Sequence, residues 1–400
     1  MSAIPQPRFS VAAGILAAIF TVLVLVPADT GAQFNIGGQA SAYILKAQRS
    51  GSQYSLNDGR PAFGWRGDIF FDAEISDNIF FLSNFRMVQD DAVHVDLFAL
   101  RFTGLAGPAL NAEIGEIDVP FAGLGERRFP KSNPFFSLPL GREHFTTLCR
   151  SDYKLWLFDS RHSAAGDGVR LIEGALYDIG VKAFGNTGIL EYAIAITNGA
   201  PSLSSSYAPG GLNPNRGFGK YARVALTPIT GLTAGVSFAR GQFLPSGTNP
   251  FYGGSYSGKF DPAEYFQEIL GVDLAYSTGH FEFYGEGFHN RWAFADEYGS
   301  DLRATGFSGE IRYVPATRLS LAARVGGLFF NRIQASVYGP DYLIVFYDGP
   351  WDRDMMRLEV AAGYRVTREV LVKVVYQHNR TVHGNDPADD AAVTQIVVNF

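Results

Sequence analysis

Along most of this chain apolar and polar residues alternate with a period of two, which leaves few folds open to it. From Phe63 to Ile75 the odd positions read Phe, Trp, Gly, Ile, Phe, Ala and Ile, while the even ones are mostly Gly, Arg, Asp and Glu. Successive side chains of a strand point to opposite faces, so one face is apolar and the other charged. Met356, Leu358, Val360, Ala362, Tyr364 and Val366 alternate likewise with Arg357, Glu359 and Arg365. Val370, Val372, Val374 and Tyr376 do so with Lys373, Gln377 and Asn379.

Composition fits a wall with lipid on one side and water on the other. There are 33 Phe, and aromatics reach 14%, yet mean hydropathy is only +0.02. Charged residues make up 18%, below the roughly 25% of soluble domains, and a helical membrane protein would be far more hydrophobic. A net charge of −6 gives no electrostatic case for nucleic acid. Cys149 is the single cysteine, which excludes a disulfide framework and a multi-cysteine zinc site. Gly217-Phe218-Gly219-Lys220 has the wrong spacing for a P-loop, and the 7 His form no HExxH pattern. No cofactor, resident metal or catalytic residue is therefore expected. Two acidic loop clusters (Asp296, Glu297 and Asp301; Asp386, Asp389 and Asp390) read as solvated loops before they read as cation sites.

The N-terminus carries Arg8, then an apolar run from Val11 to Val26 broken by Thr21, then Pro27 and the small residues Thr30-Gly31-Ala32. The run is shorter than the ~20 residues of a spanning helix and has the order of a secretory signal. Residues 1–32 are expected to be a cleaved signal peptide, and 33–400 a single domain.

Sixteen segments alternate: 36–47, 61–75, 78–89, 93–104, 109–119, 175–184, 189–197, 217–227, 231–241, 266–276, 280–290, 303–314, 318–328, 354–366, 370–380 and 390–400. Most have about the 9–11 residues that cross a bilayer as a tilted strand. Even-to-odd links are tight, as at Ser76-Asp77, Gly185–Gly188, Pro228–Thr230, Ser277–Gly279 and Pro315–Thr317. Odd-to-even links are mostly long, with Asp90-Asp91-Ala92 the exception. Tight turns at one end and long loops at the other predict an all-β fold, a transmembrane antiparallel barrel with both termini in the periplasm. The longest link, 120–174, is the third on the long side. A sixteen-stranded barrel encloses a lumen too wide for side chains to fill, and this loop is expected to fold into it. Phe400 ends the last segment, sharing a face with Ile396 and Val398. An aromatic final residue on an alternating strand resembles the signal read by the barrel assembly machinery.

Spaced short motifs resemble a known family, the phosphate-selective porins O and P of Gram-negative outer membranes. They are Tyr177-Asp178-Ile179-Gly180-Val181, then Leu190-Glu191-Tyr192-Ala193 and Asn198-Gly199, with Arg223-Val224, Pro228 and Gly231-Leu232 following. Gly271-Val272-Asp273-Leu274-Ala275-Tyr276 with Glu282 to Glu286, and finally Gln395 and Phe400, complete the series. The resemblance covers most of 36–400 and lies in the order of the motifs. It implies a sixteen-stranded barrel, a homotrimer, and a third extracellular loop folded into the channel. The family's basic ladder has no residue-by-residue match here, so the word phosphate does not transfer with the fold.

Selectivity would be set by charge in a narrow, partly desolvated passage. The predicted constriction holds Arg127, Arg128, Lys131, Arg142 and Arg150 against Glu126 and Glu143, a balance of +3. Predicted wall residues are more evenly matched: Arg66, Arg86, Arg223, Arg324 and Arg357 face acids including Glu282 and Glu286. The bland reading is that these pair across strands and brace the lumen. Together these features lead to an outer-membrane channel for passive diffusion of small hydrophilic solutes, surrounded by outer-membrane lipid and lipopolysaccharide, with either a weak anion preference or no strong preference. Two other classes stay open: a structural or adhesin barrel, and an enzyme carried on a barrel.

Overall fold

The computed structural model describes residues 33–48, 60–89, 93–149, 155, 168–173, 177–203, 217–244, 264–294, 300–338, 344–382 and 389–400. The proposed signal segment 1–32, Arg150, Asp296, Glu297 and Asp386 lie outside the described residues.

Sixteen antiparallel strands close into a barrel. The first eight are β1 Gln33–Ala47, β2 Ala62–Ser76, β3 Ile79–Val88, β4 His94–Phe102, β5 Asn111–Asp118, β6 Tyr177–Thr187, β7 Leu190–Thr197 and β8 Gly219–Ile229. The rest are β9 Leu232–Gln242, β10 Phe266–Thr278, β11 Phe281–Trp292, β12 Leu302–Ala316, β13 Leu319–Phe330, β14 Met355–Arg365, β15 Val370–Thr381 and β16 Ala391–Asn399. Every alternating segment of the sequence is a strand of this wall. The barrel closes where β1 pairs with β16, from Gln39 opposite Asn399 to Ala47 opposite Ala391. Closure satisfies every strand edge, which a wall bounded by hydrocarbon requires.

The faces follow the alternation. Phe63, Trp65, Leu358, Val360, Val374 and Tyr376 are exposed on the outside, while Asp68, Arg357, Glu359, Lys373, Gln377 and Asn379 are buried on the inside. Consecutive aromatics are divided between the two. Phe71 points out and packs with Phe34 and Phe81, at ring separations of 5.8 and 6.1 Å. Phe70 points in and meets Phe129 edge-on at 5.2 Å. Phe329 is exposed outside, and Phe330 lies inside against Trp351.

Tight turns fall slightly later than the alternation predicts. Gly185 stays within β6, and the turns are made by Gly188, Gly231 and Gly279, whose φ values are +63°, +86° and +55°. Glycine reaches that left-handed conformation with no Cβ penalty. Pro228 and Pro315 are not turn residues. They sit near the ends of β8 and β12, where the ladder shifts between Leu226 and Ile229 and between Tyr313 and Ala316. A bulge suits a residue with no N–H to donate.

The C-terminal residue is woven into the closure. Phe400 accepts a hydrogen bond from the Gly38 N–H at 2.9 Å and donates one to the Gly38 carbonyl at 3.1 Å. A Cβ on Gly38 would come within 2.5 Å of the Phe400 ring, so glycine lets the ring lie against the first strand.

Candidate functional site

The third long connection enters the lumen and is fastened to the wall on many sides. As the chain leaves β5, Ala122 N–H donates to Ser237 Oγ on β9 at 3.0 Å. A single turn of 3-10 helix, Gly125–Arg128, follows. Lys131 N–H then donates to Gln39 Oε1 on β1 at 3.1 Å, and Phe136 meets Tyr43 edge-on at 4.8 Å. Across the lumen, Lys373 Nζ donates to the carbonyls of Pro130 and Asn133 at 2.9 Å and of Phe135 at 3.2 Å. Ser137 Oγ bonds to Glu359, whose other oxygen takes the Arg324 guanidinium at 2.6 Å. Arg324 also donates to the Ser137 carbonyl at 2.9 Å and lies over the Phe135 ring at 4.3 Å.

A four-residue helix, Leu140–Glu143, carries the next anchors. Arg142 is buried and pairs with Glu286 at 3.3 Å, and Glu143 pairs with Arg357 at 3.0 Å. His144 Nε2 lies 2.9 Å from Asp352, whose carboxylate also accepts the Thr147 N–H at 3.1 Å. The segment ends in Phe145–Cys149, which pairs with Gly168–Arg170. Cys149 is buried.

One sector of the lumen on the long-loop side is filled by an apolar core that the alternation did not predict. Trp351, Trp292 and Phe243 are fully buried there, with Trp351 at 5.4 Å from Trp292 and 4.9 Å from Phe330. Leu148, Leu155, Leu171, Leu203 and Leu244 from the connections join them. The available signal was local: Val169, Leu171 and Ile172 form an apolar patch inside a long polar-side loop.

Space remains elsewhere. A cavity of about 210 Å³ lies between the loop and the wall of β2–β6. Five arginines line it (Arg66, Arg86, Arg128, Arg142 and Arg170) with three carboxylates, Asp96, Glu143 and Glu173. Towards the tight-turn end a second space of about 450 Å³ is bounded by Arg127, Lys131, Arg312 and Arg365, with Glu126 and Glu282.

Pairing rearranges the charge balance read from the sequence. Arg127 pairs with Glu310, and Arg128 forms a two-pronged pair with Asp118, both contacts at 2.8 Å. Burial opposes the charge on Arg128, but the Asp118 carboxylate outweighs it, and the guanidinium pKa is raised. Lys131 has no carboxylate within 4 Å among the described residues. On the wall Arg66 pairs with Asp68, Arg86 with Asp96, Arg223 with Asp273 and Arg312 with Glu282. Arg324, Arg357 and Glu286 are buried. They anchor the loop and leave little charge facing the lumen. Arg101 and Lys182 share Glu113, a cluster the sequence reading did not single out.

These pairs are lopsided in exposure. The Arg66 side chain is 25% exposed and Asp68 fully buried; for Arg101 and Glu113 the figures are 38% and 1%. Arg86, Arg127 and Arg223 likewise stand in front of nearly buried acids. Arg128 with Asp118 and Arg312 with Glu282 reverse the order. A carboxylate behind an arginine holds its fork in place, while the guanidinium edge faces the water.

Of the loop-cluster acids that the structure describes, Asp301 and Asp390 are taken up by such contacts, while Asp389 is buried with its Oδ1 unpartnered. Asp301 pairs with Arg291 at 2.7 Å. Asp390 accepts from Tyr376 and Asn379 and lies 2.9 Å from His378. Among the described residues no group of acids, His and Cys has the arrangement of a metal site.

No protein-family model and no curated protein sequence matches this chain. Solved structures match it throughout. The anion-selective porin from Comamonas acidovorans superposes with a TM-score of 0.60 at 8% identity, over 92% of this chain and 100% of that one. The outer membrane channel DcaP of Acinetobacter baumannii gives 0.59 at 9% identity, over 93% and 98%. OmpT of Vibrio cholerae gives 0.56 at 12% identity, over 92% and 98%, and its trimer form 0.55. At such identities the likeness is one of fold: this chain shares the closed sixteen-stranded barrel of these outer-membrane proteins.

Proposed function

We propose that this protein is an outer-membrane porin through which small hydrophilic solutes and ions diffuse passively, with a weak preference for anions. The segment 1–32 is removed on export, the long connections face the cell exterior, and the third of them forms the constriction. Arg127, Arg128 and Lys131 supply its charge, Arg142 braces it, and Arg150 belongs to the same loop. Arg66, Arg86 and Arg223 are wall charges along the path, and Phe400 is the assembly signal. A homotrimer accords with the trimer form of OmpT.

One observation carries the anion preference: in most lumen pairs the arginine faces the water and the acid lies behind it. A permeating ion meets the nearer charge first, and in a narrow passage with little screening that difference lowers the barrier for anions. The ordered motifs that resemble those of the phosphate-selective porins O and P support the same sign of selectivity, and the lack of a matching basic ladder speaks against a dedicated phosphate site. The test is a planar bilayer: purified protein should give a stable open conductance. Across a KCl gradient its reversal potential should have the sign of chloride preference. Folded protein without conductance would exclude the channel.

A further inference from the structure

The outer face of the barrel carries a row of charges that channel function does not use. Cross-strand register places Lys220 opposite Arg240, Arg240 opposite Glu268, Glu268 opposite Arg291, and Arg291 opposite Arg303. Five adjacent strands, β8 to β12, thus present one continuous line of four cations and one acid, all on the outward face. With strands about 4.8 Å apart the line is about 19 Å long.

Its height on the wall is specific. One step towards the tight turns the same face carries Phe238 and Leu270, and the next carries Val224, Val236, Val272 and Phe307, all exposed. The apolar face ends in stacked rings, with Phe281 4.7 Å from Tyr313 and Tyr276 6.3 Å from Phe283. From Glu268 to Thr278, opposite Phe281, there are ten steps of about 3.3 Å, which at a tilt of about 40° rise about 25 Å. That is the height of the apolar band of such a barrel. Aromatic rings mark one boundary of the hydrocarbon and the basic row marks the other.

The row is not neutralised from within. Glu268 is shared by Arg240 at 2.9 Å and Arg291 at 3.4 Å, while Asp301 takes Arg291 at 2.7 Å and Arg303 only at 3.9 Å. Lys220 has no carboxylate within 4 Å among the described residues. Like charges directly opposite each other on neighbouring strands are destabilising, and two such pairs stand here: Lys220 with Arg240, and Arg291 with Arg303. Phe266 lies between two of the arginines, its ring 4.0 Å from Arg240 and 5.5 Å from Arg291, and fixes their direction.

We infer that this row is a binding site for the phosphate groups of a phosphorylated glycolipid, lipopolysaccharide, in the leaflet facing the long connections. Its acyl chains lie along Phe238, Leu270 and Val272, and its phosphates lie against the guanidinium edges of Arg240, Arg291 and Arg303 and the Lys220 ammonium. The anion relieves the repulsion between the opposed cations. The inference rests on the proposed orientation, with the long connections outside the cell.

The test uses the full mature protein, folded in detergent and titrated with purified lipopolysaccharide, with retained lipid read by native mass spectrometry. Lys220→Gln, Arg240→Gln, Arg291→Gln and Arg303→Gln combined should weaken binding at least tenfold, since each basic group near an anionic lipid is worth about fivefold. Replacing the three arginines by Lys should restore most of it. Arg332→Gln, on an exposed loop pair with Asp348, should change nothing. Dephosphorylated lipopolysaccharide should bind the wild type as weakly as the quadruple variant binds intact lipid. Binding should survive EDTA, because arginine and not a bridging cation supplies the positive charge, and 10 mM inorganic phosphate should not displace the lipid.

Equal binding by wild type and quadruple variant overturns the site, as does loss of binding in EDTA. Equal loss in Arg332→Gln reduces it to general electrostatics, and displacement by inorganic phosphate reassigns it to a free anion. If the quadruple variant does not fold, Arg303→Gln alone, whose ion pair is the longest of the row, must still weaken binding severalfold or the inference fails. Conductance of the wild type in phosphatidylcholine bilayers is read separately, so a failed channel and a failed lipid site are distinct results.

Discussion

Lys373, on β15, donates from its buried ammonium to the backbone carbonyl of Pro130 at 2.9 Å, holding a loop that lies 243 residues away in sequence. The same nitrogen reaches Asn133 and Phe135, so one charge from the wall satisfies three carbonyls that would otherwise be buried without a donor. Arg324 holds the loop with as many hydrogen bonds, to Ser137 and Leu138.

Lys373→Met should therefore release the loop. Each carbonyl left without a donor costs about 1–3 kcal/mol, so the thermal midpoint falls and single-channel conductance becomes larger and noisier. Unchanged conductance and midpoint would show that the loop is held by its other contacts.

Arg324 and Glu359 form a nearly fully buried pair beneath Ser137. Glu359→Ala leaves the buried guanidinium with only the more distant Glu310 carboxylate, at 4.0 Å, a loss approaching the roughly 3–5 kcal/mol of a broken buried pair. The double variant Arg324→Met, Glu359→Leu should be more stable than that single variant, because neither charge remains. Denaturant titration of all three decides it; a double variant no better than the single would mean that the loop carbonyls of Ser137 and Leu138 need Arg324 more than Glu359 does.

Selectivity should move with the loop arginines. Arg127→Glu with Arg128→Glu places acids beside Glu310 and Asp118, so the reversal potential in a KCl gradient should shift towards cations. A reversal potential equal to the wild-type value would remove this stretch from the permeation path.

The outer face should reject charge. Val360→Arg and Val374→Arg each put a cation into the apolar band, at a cost of about 2–4 kcal/mol near its middle. Assembly followed by the mobility shift of unheated protein on gels should be impaired in both. Normal assembly of both variants would mean that these positions face water.

Reading the wall from the sequence succeeded because its information is local. Each residue of β14 and β15 lies on either the outer or the lumen face, and neighbours two apart share a face, so Val360 and Glu359 reveal their faces without a partner. Loop parity worked for a related reason, since successive connections of an up-and-down wall alternate between its two ends. Two of the turns shifted because Pro228 and Pro315 are accommodated by irregularities in the ladder.

The site was only partly legible. Arg127, Arg128 and Arg142 were visible as a basic stretch, but their acids, Glu310, Asp118 and Glu286, were not. Glu310 lies 183 residues from Arg127, and nothing in either neighbourhood announces the other. The charge count of the loop left its meaning incomplete: Arg142 is an anchor paired with Glu286, and Lys373, on the polar face of its strand, is a tether. The aromatic core around Trp351 was missed because its members come from several separate connections and from the ends of β11 and β13, and share no period.

Alternation and loop lengths together determined that this chain is a strand wall with an apolar outside, a charged inside and long loops at one end, because each residue's face follows from its own polarity. Tertiary structure decided which charge faces the water, what holds the loop, and that Lys220, Arg240, Arg291 and Arg303, scattered over four strands, lie side by side. Those outcomes depend on register and closure, and register is a property of the assembled sheet that no single strand contains.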